Sequence, residues 1–295
     1  MTARLLIIII ALTMAWPAHA RTSHSVDSLL AVLDATIDAT PAIEGAMRKE
    51  LNHHRNAFDK AETIDEKFHE GYWLFFKYRR FRIDSAMYYA NERLKMAAKL
   101  HPDSMIAARI NKADATKRLG RYSDAINILD SLPRNNYVRN NPYFYDVYHS
   151  TLNSLTTNAI NDDELARYSE LRRAYRDSLQ VVNYDEANVK YINQAEKFKN
   201  KGNYAEALKV LLECEQKCHD EVQHSAVFWA VLGETYRRLD DNEGAKYGYA
   251  MAAIIDKRNC NKTYTSLQIL AALLFDEGDT ERAYRYITLS MIDVK

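Results

Sequence analysis

The chain has 295 residues, and its 40 basic side chains equal its 40 acidic ones, so its formal net charge is zero. A neutral balance provides no bulk attraction to the phosphates of nucleic acid, which argues against nucleic-acid binding by this stretch of chain. Only 8 glycines and 5 prolines are present, and this scarcity of turn formers favours an all-helical protein.

The first predicted element is a secretory signal peptide over residues 1–20. Arg4 precedes an apolar run, and small residues follow at Ala18 and Ala20, the pattern at which signal peptidase cleaves. A membrane anchor is the alternative, but the apolar run is shorter than the roughly 20 residues that span a bilayer. We therefore expect a mature protein that begins at Arg21, is secreted across the inner membrane into the periplasm and has no membrane span.

Residues 21–67 are predicted to form N-terminal capping helices. Leu29, Leu30, Leu33 and Ile37 recur at the spacing of one helix face. The segment precedes the first clear repeat, and the terminal units of a repeat array commonly serve as caps. We expect one or two helices here.

Residues 68–295 are predicted to be tetratricopeptide-like (TPR-like) helical repeats. The pattern W-x2-L-G-x2-Y is present at Trp229, Gly233 and Tyr236, and the marker alanine of the second helix follows at Ala245. Small residues at these places let the two helices of a pair pack closely. Equivalent marker alanines lie 38 residues to either side of Ala245, at Ala207 and Ala283. A fourth copy of the repeat lies nearer the N-terminus and has its marker alanine at Ala125.

The spacing of these copies predicts how many helix pairs the array contains. A degenerate copy surrounds residues 78–90, and the long gap after Ala125 leaves room for a divergent pair near 143–157 and 162–179. The predicted fold is therefore an all-α, right-handed superhelical solenoid of about six helix pairs, with a concave face built from the first helix of each pair.

No catalytic or cofactor motif stands out. The G-x-S-x-G, H-E-x-x-H, P-loop and G-x-G-x-x-G patterns are all missing from the sequence, so we predict a protein without a cofactor that is not an enzyme. A catalytic site built from scattered carboxylates is the remaining alternative.

The possible metal ligands also favour structural readings. Cys214 and Cys218 share a helix face and His219 follows them, but the three offer at most three ligands, and cysteine is among the most buried residue types. We predict no metal site and a packing role for Cys214. His53, His54 and His69 are expected on the solvated surface.

Two groups of side chains are candidates for binding. The aromatic run over residues 68–89 includes Tyr72, Trp73 and Phe76; it is either core packing or an aromatic floor for a bound peptide or small ligand. The second group consists of acid–base pairs at i, i+3 on the first helices, each expected to face the groove, with two further arginines beside them. Its members are Asp114, Lys117, Arg118, Glu196, Lys199, Glu234, Arg237 and Arg238.

Two interpretations of the charged group remain open. The pairs are either self-neutralised helix decoration, worth about 0.2–0.5 kcal/mol each, or a groove in which Arg118 and Arg238 stay unpaired. Unpaired guanidinium groups bind carboxylates bidentately.

Beyond generic repeat consensus, several stretches resemble one family. They are DSLL at 27–30, DSAMYYA at 84–90, AAIIDKR at 252–258, and the run with DEGD at 276–279 and RAYRYI at 282–287. Together these are similar to a family of membrane-anchored TPR transcriptional regulators of the Bacteroidetes. The resemblance implies a signal peptide, a periplasmic repeat sensor, a transmembrane helix, a cytoplasmic coiled coil and a C-terminal DNA-binding region.

The resemblance predicts a function in signal transduction. The chain ends at Lys295, before the membrane and DNA-binding parts, so we expect an interaction or sensor module, either separated from such a regulator or standing alone. Its partner is expected to be a protein or peptide in the periplasm, or a glycan-related signal. A free periplasmic scaffold for envelope protein assembly is the alternative.

Overall fold

The computed structural model describes residues 23–181, 187–262 and 264–292, and within these ranges every regular element is a helix. The predicted signal peptide over residues 1–20 lies outside the described residues. In chain order the helices are α1 (Ser23–Asp38), α2 (Thr40–Lys60), α3 (Ile64–Tyr78), α4 (Ile83–Ala97), α5 (Pro102–Arg118), α6 (Tyr122–Asp130), α7 (Asn136–Arg139), α8 (Pro142–Thr157), α9 (Asp162–Val181), α10 (Ala187–Lys199), α11 (Tyr204–Lys217), α12 (His219–Val222), α13 (Ala226–Arg237), α14 (Asn242–Arg258), α15 (Thr265–Asp276) and α16 (Thr280–Ile292).

The described helices include six consecutive packed pairs: α3/α4, α5/α6, α8/α9, α10/α11, α13/α14 and α15/α16. This arrangement confirms the prediction of a TPR-like solenoid with about six pairs. The divergent pair expected near 143–157 and 162–179 is α8/α9. The first helix of the first pair, α3, begins at Ile64, four residues before the predicted start of the repeats at residue 68.

The turns inside the pairs explain the spacing of the glycines. Gly120, Gly202 and Gly278 all adopt positive φ angles, between 77° and 93°. Each follows the end of the first helix of its pair, where the backbone takes the left-handed conformation that glycine adopts most easily. In α13/α14 the same place in the period is taken by Asp240, with φ 58°. Aspartate tolerates this conformation better than most residues with a side chain.

The 38-residue period is longer than the usual 34-residue TPR repeat. Residues 255–258 continue α14 as its last turn. In the connections after α6 and α11, the extra residues instead form the single helical turns α7 and α12.

The marker residues of the repeats lie where close packing requires them. Ala125, Ala207, Ala245 and Ala283 are buried, as are Trp229 and Gly233, and Tyr236 is half-buried. Helices α13 and α14 cross at very close range, since a side chain on Gly248 would lie 2.5 Å from Cα of Gly233. Two glycines facing each other therefore let these backbones touch.

Substitution of Gly248 by alanine is expected to destabilise the protein by about 1–3 kcal/mol, because the added methyl group overpacks this crossing. The new Cβ would also lie 2.8 Å from the carbonyl oxygen of Trp229, and helix backbone cannot rotate away as a side chain can. Gly45→Ala is the matched control, since nothing lies within 4 Å of its added Cβ. It should be neutral or stabilising by about 0.5–1 kcal/mol. Thermal unfolding of both variants measures the difference, and an unchanged melting temperature for G248A would contradict the close crossing.

The two helices predicted as an N-terminal cap are both present, but only α2 packs on the first pair. Pro41, in the first turn of α2, cannot continue the hydrogen bonding of α1, so the chain changes direction there. The apolar face of α1 then packs against α14 and joins the hydrophobic core of the C-terminal pairs through Val26, Leu30 and Leu33.

Polar contacts fix α1 in this position. Asp34 accepts hydrogen bonds from Arg282 Nε at 2.9 Å, Arg285 Nη1 at 3.2 Å and the Tyr286 hydroxyl at 2.9 Å, all on α16. The turn after α14 also reaches the first pair, because the Lys262 N–H donates to the Arg80 carbonyl at 3.0 Å. The N-terminal helix α1 therefore packs against the C-terminal helices of the array, which are the most distant from it in sequence.

None of the described helices combines the length and apolarity needed to cross a membrane.

Candidate ligand-binding cavity

Asp114, predicted to face the groove, is instead the centre of a buried ionic cluster. It is 1% exposed and accepts hydrogen bonds from the Tyr143 hydroxyl at 2.8 Å and from Arg79 Nη1 at 3.2 Å. Lys117 Nζ and Arg118 Nε lie 3.0 and 3.1 Å from its other oxygen. The cluster ties the end of α3, helix α5 and the start of α8 together.

In this cluster a single carboxylate faces three basic side chains. Burial by itself raises the pKa of Asp114, but Lys117, Arg118 and Arg79 outweigh it and hold that pKa well below its ordinary value. Arg118, which one of the two interpretations leaves unpaired, is thus engaged with Asp114, because the carboxylate needs compensation in the interior. Asp114 itself offers no surface to a partner.

The predicted pair Glu196–Lys199 is present and connects successive repeats. Lys199 contacts Glu196 at 2.7 Å on its own helix and Glu234 at 2.8 Å on α13. Glu234 reaches Arg238 only at 4.0 Å, while Arg237 counteracts the rise that burial causes in the pKa of Tyr249.

An equivalent bridge joins the next two pairs, and the sequence did not single it out. Lys246 contacts Glu243 at 2.5 Å and Glu277 at 2.6 Å. These interactions across the repeats reinforce the stacking of neighbouring pairs.

The aromatic candidates contact one another, because the Tyr72 ring centroid lies 6.2 Å from that of Trp73 and 5.9 Å from that of Phe76, but each has further partners of its own. Trp73 donates from Nε1 to His69 at 3.1 Å and stacks on His54, with the ring centroids 6.0 Å apart. His54, predicted to be solvated, is half-buried and lies 2.8 Å from Glu70. His54 is therefore paired with Glu70, which is 16 residues away in sequence, too far to be suggested as its partner by the sequence.

The remaining two aromatic candidates face different surroundings. Phe76 lies under the guanidinium of Arg79, 4.1 Å from its ring centroid, and supports the ionic cluster. Tyr72 lines an open cavity.

This cavity has a volume of about 440 Å³ and lies between the first helices of three successive pairs. Its size is within the range of small-molecule sites. Its walls are aromatic and amide side chains with one carboxylate and one guanidinium; the lining residues are Phe68, Tyr72, Arg93, Asp103, Ser104, Ala107, Ile110, Asn111, Tyr137, Asn141 and Tyr143.

Arg93 belongs to α4, the second helix of its pair, yet its guanidinium reaches the cavity formed by the first helices. Its side chain passes α3 at Gly71, where an added Cβ would lie 3.1 Å from Cγ of Arg93. Arg93 Nε then donates to the Phe68 carbonyl at 3.2 Å, and the guanidinium lies 3.9 Å above the Phe68 ring and 5.1 Å from that of Tyr72. The missing side chain at Gly71 makes this route possible.

The cavity retains unsatisfied polar groups. Arg93 is 4% exposed and its Nη1 has no hydrogen-bond partner, and Asn111 is 2% exposed with an unpartnered Oδ1. Burial lowers the pKa of Arg93 to about 10, and the interactions that counteract this effect come from tyrosines. A buried charge without a counter-ion costs several kcal/mol, so this guanidinium is prepared to accept an anion.

The position of Arg93 in the sequence already indicates a buried charge. Ala86, Tyr89, Ala90, Arg93 and Ala97 form the buried face of α4 at helical spacing, so the arginine occupies a core position. A charge on an apolar stripe indicates either a buried ion pair or a ligand site. Asn111 occupies a comparable buried position on α5.

The cysteines are consistent with packing. Cys214 and Cys218 are buried free thiols, and burial raises the pKa of Cys214 to about 12. Among the described residues no group of three or more His, Cys, Asp or Glu side chains is arranged to hold a metal ion.

The helical architecture can be compared with known proteins. A solved structure of a thermophilic TPR protein from Thermus thermophilus is similar, with a TM-score of 0.47 and 14% sequence identity, over 77% of this chain and 98% of that chain. No curated protein sequence matches the chain. The family model for the SusR N-terminal TPR domain matches residues 37–295, which include all six helix pairs. The chain therefore belongs to the SusR N-terminal TPR domain family.

Proposed function

We propose that this chain is the periplasmic sensor region of a membrane-bound transcriptional regulator, and that its signal binds in the cavity between α3, α5 and α8. The observation that carries this proposal is the cavity itself, with its aromatic walls and the buried, unpaired guanidinium of Arg93. Concave, largely apolar sites with a few convergent polar groups are the usual form of a ligand site.

The family supports a binding role over a catalytic one. TPR domains are interaction modules, whose stacked repeats present an extended surface to a partner. A sensor of this kind couples ligand binding to a change in its contacts with a periplasmic protein or peptide, or with the rest of its own regulator. Differential binding to two states is the thermodynamic requirement for such coupling.

Filling the cavity tests the proposal in cells. Ala107 lines the cavity on α5, and Ala107→Trp would occupy much of its volume. A sensor role predicts that the A107W strain reproduces, by RNA sequencing, the transcript changes that deletion of the gene causes. The exposed substitution Ser123→Trp on α6 is the matched control and should leave the transcripts as in the wild type.

A free periplasmic scaffold is the second candidate, and the last helix pair favours it. Phe275 is 65% exposed and Tyr284 is 74% exposed, so this end of the described array presents apolar side chains suited to a protein partner. A scaffold predicts altered amounts of envelope proteins in the deletion strain without the same transcript changes in A107W cells. That outcome would reject the sensor role.

Export is a further part of the proposal. The Ala18–Ala20 pattern predicts that signal peptidase cleaves after Ala20, so mass spectrometry of the protein from the periplasmic fraction should give Arg21 as the N-terminal residue. An intact N-terminus in the cytoplasmic fraction would contradict periplasmic localisation.

A further inference from the structure

We infer that the cavity binds a small monocarboxylate, whose oxygens accept hydrogen bonds from the Arg93 guanidinium and whose body lies against the rings of Phe68 and Tyr72. This inference rests on the proposed function of the cavity as the signal site, and it specifies the chemistry of the signal.

The charge of the ligand follows from the state of Arg93. Among the described residues no carboxylate forms an ion pair with it, and Nη1 is unpartnered in a side chain that is 4% exposed. An arginine held in this way presents a planar fork that matches two carboxylate oxygens. Stacking on Phe68 and Tyr72 and the hydrogen bond from Nε to the Phe68 carbonyl fix the plane of the fork, while Nη1 keeps no hydrogen-bond partner.

The number of charges is limited by Asp103. This carboxylate lies on the first turn of α5 and lines the same cavity. With one guanidinium and one carboxylate in the lining, a second negative charge on the ligand would be repelled. A monocarboxylate therefore fits better than a dicarboxylate or phosphate.

The body of the ligand is constrained by the remaining walls. Phe68 and Tyr72 offer flat apolar surfaces, and the unpartnered Oδ1 of Asn111 accepts a hydrogen bond. A ligand with one flat face and one hydroxyl or amide donor satisfies both. At about 440 Å³, the cavity has room for a sugar acid or an acylated amino acid.

Matched pairs of probes test the charge directly. Isothermal titration calorimetry with the purified protein would compare D-glucuronate with D-glucose, N-acetylglycine with N-acetylglycinamide, and benzoate with benzamide. We expect at least one carboxylate to bind about tenfold or more tightly than its neutral counterpart, as a charge-assisted hydrogen bond predicts. Arg93→Met should abolish that preference. Arg109→Met, an arginine of α5 that contacts Ser131 rather than the cavity, should keep it.

A chemical readout covers the case in which the R93M protein fails to fold. Phenylglyoxal should enter the open cavity and modify Arg93 of the wild-type protein at the guanidinium group that lines it, and the tightest carboxylate should slow this reaction, as measured by peptide mass spectrometry. Two results would overturn the inference: neutral probes that bind as tightly as their carboxylates, or no carboxylate that binds and protects Arg93. The first result would leave the cavity as a ligand site, so it rejects the carboxylate without rejecting the sensor role, which the A107W strain tests separately.

Discussion

Replacing Asp114 with alanine should destabilise the protein by about 3–5 kcal/mol, the cost of removing one partner from a buried ionic cluster. Arg79, Lys117 and Arg118 would then remain close together without their shared carboxylate, and the Tyr143 hydroxyl would lose its acceptor. Urea-induced unfolding followed by circular dichroism measures the change. Because the cluster connects three successive pairs, the loss should affect the whole N-terminal half.

The matched control is Asp124→Ala. Asp124 pairs with Arg121 at the start of α6, in the same repeat, but both side chains are about half exposed or more. Exposed pairs contribute about 0–1 kcal/mol, so this variant should unfold close to the wild type. Equal losses in the two variants would mean that the Asp114 cluster contributes no more than a surface ion pair.

The contribution of Asp114 should also depend on pH in a defined direction. Its pKa is lowered in the folded protein, whereas an unfolded aspartate titrates near 3.9, about its ordinary value. The stabilisation is therefore complete above about pH 5 and declines as the pH falls below about 4. The difference in unfolding free energy between wild type and D114A should narrow over that acidic range, and a difference that widens there would contradict the assignment.

Truncation of Leu33 to alanine should destabilise the protein by about 2–5 kcal/mol, the usual cost of a cavity in a well-packed core. Leu33 is completely buried where α1 joins the C-terminal core. The location of the effect is the more informative result. Amide hydrogen exchange should become faster in α14 and α16, which pack against α1, rather than in α3, which is nearer in sequence.

Leu74→Ala provides the comparison for this experiment. Leu74 is equally buried, but it lies on α3 in the core of the first pair, so its truncation should accelerate exchange mainly in α3 and α4. If L33A instead loosened α3 and left α14 and α16 protected, α1 would be a cap on the first pair and not a helix of the C-terminal core.

The sequence by itself determined the class of fold, because that information is local and periodic. The marker alanines repeat every 38 residues where the copies are clear, and the turn residues Gly202, Asp240 and Gly278 follow the same period. Each serves a requirement within one helix pair: close approach or a positive φ angle. The same logic located the divergent pair α8/α9 from the length of the gap alone. The family was recognised from stretches beyond the repeat consensus, such as DSLL at 27–30 and AAIIDKR at 252–258.

Only the tertiary structure decided which distant residues meet. The apolar spacing of Leu29, Leu30 and Leu33 predicts a helix with a buried face but does not say what covers it, and the face packs on α14 rather than on the first pair. Asp114 and Lys117 have the spacing of a helix-surface pair, yet Arg79 and Tyr143 bury the carboxylate from other helices.

The candidate cavity depends on tertiary structure in the same way. Arg93 reaches it from the second helix of its pair by crossing α3 at Gly71, a contact between residues on different helices. A one-dimensional pattern records which face of a helix is apolar, whereas burial and pairing of a charge depend on the helices packed against it. For this protein the repeats are therefore readable from sequence, while the site depends on how the repeats assemble.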